Sequence, residues 1–552
     1  MRASRRIRDN AVVGVAALAV GILAALPIGY LAWRGFEYGF SSSFKIATSS
    51  RTINLLRSTL LLAIAVTTAS VVLALPIAWL TVRTNVIGRN FWSVVTVLPL
   101  AIPTYVGSWA MIGALGPRGM FSNLLGVQSI PSIYGFWGAW ASLTLFSYPY
   151  VLLTVRAVWV RLDPSLEEAS RMLGRSSWQT FVHVVWPQLR PAASSGALLV
   201  ALYSLSDFGA VTMMRYDTFT REIYLQYRGA LERGATAVLG LMLVVLTVTV
   251  LTGEQRLRKR EDVYRLHGSG ARNPQLVDLK RLQVPALAGL GILTTLALVV
   301  PLGVISYWIA RGVRANEPVW PAWSLISNSL SVSLLAAAVT TVVAIPVALF
   351  IRRSPGWFAN IVERLSWSGY ALPGIVVALA LVYLGANALP WAYQSMGMLI
   401  FGYSVLFLPQ AIGAVRSSLL QVTPSLEEAS LLLGTRRITT FRKVLLPLLR
   451  PGLGAGAGLV FLTTMKELPA TLLLSPTGFS TLATRIWNST SEGFLGRSAG
   501  SALTLVLLSS VPMSLFIVRN QAQVLRPSHR PNRGHDDKKA KHALPSDTSD
   551  TR

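Results

Sequence analysis

The sequence predicts an all-α, polytopic membrane protein of about 12 transmembrane helices in two pseudo-symmetric halves. Three observations predict it. Hydrophobic residues make up 52% of the 552 residues and charged residues 13%, with a mean hydropathy of +0.52. A soluble domain of that composition would need an implausible interior. The apolar residues gather in runs of about 20, the length a helix needs to cross a hydrocarbon core of about 30 Å. Finally, one polar segment occurs twice, at 163-191 and 423-451, with its internal spacing kept to the residue.

The N-terminus, Met1 to Asn10, carries four Arg and runs into an apolar stretch of more than 20 residues. That stretch is too long for a signal-peptide core and lacks a small-x-small cleavage site, so it reads as a retained first span. Unpaired backbone groups are costly in lipid, so each later apolar run is expected as a helix. In the first half, 1-253, spans are expected near 11–33, 55–82, 91–115, 133–157, 193–213 and 235–253. A basic linker, 254-282, follows. The second half, 283-518, has spans expected near 283–309, 326–351, 367–387, 395–418, 453–474 and 497–518, although Pro390, Gly402 and Pro409 interrupt the pattern around 391–418. The tail, 519-552, has almost no large apolar residue after Leu525 and reads as disordered.

The formal net charge of +27 does not indicate nucleic acid, because Lys and Arg concentrate between the apolar runs. The positive-inside rule then puts both termini, the linker and both polar segments on the cytoplasmic side of a plasma (inner) membrane. Arg215, Arg221, Arg228 and Arg233, with Glu222 and Glu232, fall in an outside loop as exceptions. No cysteine is present, which removes disulfides and thiolate metal sites. His529, His535 and His542 lie in the tail without regular spacing and read as solvated; His183 reads as a surface residue.

The halves correspond beyond the polar segments. Pro76 and Pro346 are 270 apart, as are Pro103 and Pro373, whereas Glu168 and Glu428 are 260 apart. A ten-residue deletion therefore lies around the second half's third and fourth spans. Same-orientation repeats predict halves related by an axis along the membrane normal.

In each polar segment Pro164 or Pro424 sits where a helix begins, followed by Glu167-Glu168 or Glu427-Glu428 at the positive end of its dipole. Gly174 or Gly434 then permits a sharp turn, and a second short helix is expected to end near Pro187 or Pro447. A merely solvated loop has no need of this spacing twice. Glu168-Ala169-Ser170, then Gly174, then Val184-x-Trp186-Pro187, with the twin from Glu428-Ala429-Ser430 through Gly434 to Val444-x-Leu446-Pro447, resembles the E-A-A-x3-G-x9-I-x-L-P motif of ABC importer permeases. Trp186 departs from it, at the motif's Leu. The resemblance implies a type I ABC importer permease fold, with each segment a coupling helix seated in a separate ATPase subunit. The coupling set is then Glu167, Glu168, Ala169, Gly174 and Pro187 with Glu427, Glu428, Ala429, Gly434 and Pro447. Two such segments imply two ATPase copies. The chain has no G-x-x-x-x-G-K-[ST] loop, so ATP and Mg2+ are expected on the partner, with no cofactor and no enzymatic activity on this chain.

Acidic residues inside spans are functional candidates. Asp207 and Glu467 are 260 apart, each 16 residues past Pro191 or Pro451, which is roughly 24 Å along a helix. Facing each other near the outer mouth of a central pathway, with Tyr203 and Lys466 beside them, they would favour a cationic substrate. The alternative is structural: Glu467 pairs with Lys466 or Arg485, and Asp207 caps its span near Arg215. Tyr148, Tyr203, Tyr216, Tyr224 and Tyr227 are either phenolic ligands for a hard cation or part of an aromatic belt. Ser206 through Val211 and Met465 through Leu474, with Phe479 through Thr484, resemble segments of the fused ferric-iron permeases. That resemblance implies ferric iron delivered by an extracytoplasmic binding protein and moved by alternating access. Permeases for thiamine or an aminoalkylphosphonate share the fused layout. An ion-coupled secondary transporter is the alternative from another class; it has no need of the coupling motif.

Overall fold

The computed structural model describes residues 2–37, 39–116, 119–126, 132–229, 233–259, 276–354 and 356–524. The middle of the basic linker and the tail beyond 524, with its three histidines, lie outside the described residues. The described chain is helical, and its one β-type pairing is a single bridge between Thr84 and Val277.

Among the described residues eight helices are long and apolar enough to cross a bilayer: Val12–Glu37, Ser50–Arg83, Phe136–Trp159, Gly234–Gly253, Lys280–Arg314, Trp323–Arg353, Met396–Gln421 and Arg437–Met465. Interrupted or shorter helices fill the four remaining expected positions. These are Arg89–Ala101 with Thr104–Ser122, Trp186–Ser206, Gly374–Asn387 and Leu495–Val511. The chain is thus an all-α, multi-pass membrane protein with about twelve spans.

Several expected spans differ in detail. The third, expected unbroken from 91 to 115, bends by 93° between Ala101 and Thr104. Pro103 has no N–H to continue the ladder and pushes Ile102 into extended backbone, with ψ of 118°. Its counterpart before Pro373 likewise has a short 3-10 turn, Ser368–Ala371, ahead of Gly374–Asn387. The fifth and eleventh spans, expected to reach 213 and 474, end as helices at Ser206 and Met465, then restart as Gly209–Met213 and Pro469–Leu474. The stretch around 391–418, by contrast, is continuous from Met396 to Gln421, through both Gly402 and Pro409.

The halves interlock. Gly14 and Gly21 of the first helix lie against Phe350 and Leu365 of the second half. In return Trp308, on the second half's first span, donates its indole N–H to Gly113 O at 3.2 Å. The broken third span explains part of this interlocking. Its 3-10 stretch Leu98–Ala101 leaves carbonyls without helical partners, which is costly in a membrane. Lys466 Nζ donates to Leu100 O at 3.1 Å and Ser509 Oγ to Ala101 O at 3.0 Å, both from the second half. Within a half, close helix approach depends on small residues: a Cβ on Gly196 would stand 2.7 Å from Val151 Cα, so the fourth and fifth spans meet there backbone to backbone.

Candidate functional site

Each polar segment folds as a helix, a turn and a second helix. Asp163 accepts a hydrogen bond from Ser165 N at 3.0 Å and caps the helix Pro164–Met172. That backbone N–H holds the Asp163 carboxyl below its ordinary range. The cap is therefore present above the usual carboxylate pKa and is lost only as pH falls through the lowered value. Gly174 and Gly434 close the helices with φ of 80° and 83°, and the next amide reaches back to Ser170 O or Ser430 O at 3.3 and 3.4 Å. Ser170 and Ser430 also bond Thr180 and Thr440, at 3.1 and 3.0 Å, tying the two arms together.

The second helix does not end near Pro187 or Pro447, as expected from the prolines. It passes through one π turn, Phe181–Val185 or Phe441–Leu445, directly into the fifth or eleventh span. The wider turn lets the Trp186 and Leu446 amides pair with Phe181 O and Phe441 O, so the ladder absorbs the missing proline N–H. The helix is thereby continuous from the second arm of each polar segment to the residue before Asp207 or Lys466.

The carboxylate pairs divide. Glu167 stands 2.9 Å from Arg83 and Glu427 is paired with Arg353, each Arg being the last residue of a long span. Glu168, Ala169, Glu428 and Ala429 are exposed. Around the turns stand apolar side chains with nothing to cover them: Met172 and Leu173 are 88% and 81% exposed, Leu432 and Leu433 82% and 84%. Each turn thus presents two bare hydrophobics beside an exposed carboxylate, outside the spans. His183 is exposed, its Nδ1 2.9 Å from Gln179 O. Because Gly174 and Gly434 hold left-handed backbone, Gly174→Ala and Gly434→Ala should each cost about 1 kcal/mol. Limited proteolysis at the turns should show the local loosening.

Asp207 and Glu467 line one cavity of about 300 Å³, with Tyr203, Lys466, Thr104 and Gln410. Along the fifth span the lining runs from Leu199 to Asp207, roughly 12 Å of helix, back toward the coupling segment. The two carboxylates occupy matching positions. Asp207 accepts from Thr104 Oγ1 at 2.5 Å, the first residue of Thr104–Leu115. Glu467 abuts Gly374, the first residue of Gly374–Asn387, where a Cβ would stand 2.4 Å from Glu467 Oε1. Each carboxylate thus faces the positive end of a half-helix that begins after a proline.

The structural alternative forms in part: Asp207 stands at the C-cap of its span. Asp207 caps the next helix, accepting from Ala210 N at 2.9 Å and Val211 N at 3.4 Å, while Arg215 lies over the Tyr134 ring. No ion pair joins Glu467 to Lys466 or Arg485 among the described residues. Of the five tyrosines singled out from the sequence, Tyr203 lines the cavity, together with Tyr105 and Tyr150, which were not singled out. Tyr148 bonds Thr96 O and Tyr216 bonds Ser58 O, whereas Tyr224 stacks on Phe208 and Trp487.

The chain matches the family described as binding-protein-dependent transport system inner membrane component, twice, over residues 70–262 and 341–526. It belongs to that family. A Fe(3+)-transport system permease protein, FbpB 2 of Haemophilus influenzae, is 33% identical over 90% of this chain and 96% of its own length. The ferric transport system permease FbpB of Actinobacillus pleuropneumoniae is 25% identical over 79% of this chain and 66% of its own. The sulfate transport system permease CysT of Escherichia coli is 30% identical over 36% of this chain and 72% of its own. The chain is therefore a fused permease, a transport subunit rather than an enzyme.

The permease also carries site features that sequence reasoning missed. Phe208, which lines the cavity, packs at 4.9 Å on Trp487 and 4.8 Å on Tyr224, joining the halves beside the carboxylates. Thr104 was not signalled. Arg83 and Arg353 were available, being 270 apart like the prolines. In the permease, Gly374→Ala should push the Glu467 carboxylate out of place. Uptake is expected to fall about tenfold with normal folding, read as transport rate against a detergent-solution melting curve.

Proposed function

We propose that this permease is the membrane subunit of an ATP-driven importer that moves ferric iron, delivered by an extracytoplasmic binding protein, into the cytoplasm. Two copies of a separate ATPase subunit, which bind the ATP and Mg2+, dock on the two exposed turns. Both chain termini are cytoplasmic. The observation that carries this reading is the pair of matching turns, each with a free carboxylate and two bare hydrophobics, joined without a break to the cavity-lining helices.

Closure of two ATPases on nucleotide pushes both turns at once. Each push travels along Trp186–Ser206 or Leu446–Met465 to the break that holds Asp207 or Glu467, so the two sides of the cavity move together. The charged lining groups are two carboxylates against one ammonium, Lys466, which suits a cation and opposes a bare anion such as sulfate. The nearly full-length likeness to a Fe(3+)-transport permease supports ferric iron as that cation. Native mass measurement of the complex purified from its own membranes tests the architecture. Two ATPase subunits per permease chain are expected; one, or none, would contradict it.

A further inference from the structure

The first carboxylate of each coupling pair faces inward in both halves, and does so independently. Glu167 meets Arg83 at 2.9 Å without hydrogen-bond alignment, while Glu427 accepts a hydrogen bond from Arg353. The arginines are 270 apart and the glutamates 260, so the same contact is kept although ten fewer residues separate its partners in the second half. Neither pair is a solvent-exposed surface bridge, Arg83 being buried and the other three half-buried. The neighbouring backbone is fixed from the same helix ends: Arg83 donates to Leu162 O at 3.3 Å and Arg352 to Val422 O at 2.7 Å, just before each coupling helix begins. These contacts tie the C-terminal ends of the second and eighth spans to the start of the coupling segments.

We infer that Arg83–Glu167 and Arg353–Glu427 are struts that transmit displacement of the coupling segments to the second and eighth spans. Glu167 and Glu427 are then positioning residues, acting through the arginines, while Glu168 and Glu428 meet the ATPase. This inference rests on the reading that the coupling segments dock an ATPase. It follows from geometry: the chain itself joins each coupling segment only to the spans on either side of it, the fourth and fifth or the tenth and eleventh, and not to the second or eighth. With the strut, the second or eighth span moves as part of the same body. In the first half the tie extends further, because Arg83 O accepts from Val277 N at 2.8 Å and Asn85 bonds Asp278 at 2.9 Å.

The test uses the full transporter with its ATPase and binding protein in proteoliposomes, reading uptake per ATP hydrolysed. Removing one partner of a buried pair leaves an uncompensated charge. Arg353→Glu and Glu427→Arg are each expected to lower that ratio by about tenfold while the ATPase still co-purifies, and the double exchange to restore it to within about threefold. Glu427→Gln should likewise keep the ATPase bound. Absence of rescue in a double variant that elutes as a monodisperse complex would overturn the strut, as would loss of the ATPase from Glu427→Gln. Failure of the docking reading shows differently: Glu168→Arg with Glu428→Arg would keep the ATPase bound, and the strut inference would fall with it.

Discussion

Replacing Glu168 and Glu428 together with Arg is expected to remove ATP-driven uptake and release the ATPase from the complex. Both carboxylates are exposed beside apolar side chains that are more than four-fifths exposed. A cationic side chain in place of each anion reverses the charge at the centre of a protein contact, and truncating or opposing a charge pair desolvated by docking costs about 2 to 5 kcal/mol. Applied at both surfaces, that loss should lower association by well over about a hundredfold. The exposed residues make few contacts within the permease, so its own melting temperature should hardly change. Co-purification with the ATPase and uptake in the same preparation check both halves of the prediction.

The second large effect separates the two pathway carboxylates. Both oxygens of Asp207 are occupied, one by Thr104 Oγ1 and the other by the Ala210 and Val211 amides, and the residue is 8% exposed. Glu467 accepts only from Ala470 N, through Oε1, among the described residues, and it is half-buried at the cavity. Glu467→Gln should therefore lower cation uptake by about ten to a hundredfold with little loss of stability, since it removes the charge that faces the cargo. Asp207→Asn should act chiefly on folding, because it gives up hydrogen bonds to a charged acceptor worth about 1.5 to 3 kcal/mol each. Uptake and thermal unfolding of the two variants, measured in parallel, distinguish the roles; equal behaviour would show that the halves are functionally equivalent at this position.

Much of this was legible in the sequence, and the reasons differ by element. The coupling segments were legible because proline, carboxylate and glycine act locally: each sets the backbone of its own turn, and the repeat at 260 checked the reading. Span positions were legible because lipid imposes helix on any long apolar run. The breaks were not. Pro103, Pro373 and Pro469 interrupt helices while Pro76, Pro409 and Pro346 do not, and that difference depends on whether neighbouring helices can satisfy the freed backbone groups. The π turns before Pro187 and Pro447 were hidden for the same reason, since a one-residue widening of the ladder leaves no compositional trace. Asp207 and Glu467 were found as polar residues in apolar runs, but their placement at half-helix starts depends on Thr104 and Gly374, which lie about a hundred residues away in the chain.

The central claim is ATP-driven import of a ferric cation, and uptake into proteoliposomes tests it most directly. The complete complex would be reconstituted with the binding protein on the outer side and ATP supplied to the coupling side. Radiolabelled ferric iron should accumulate only when ATP is present, with thiamine and sulfate excluded. Accumulation that ignores ATP and follows an ion gradient, or ATP-driven uptake of thiamine alone, would contradict it.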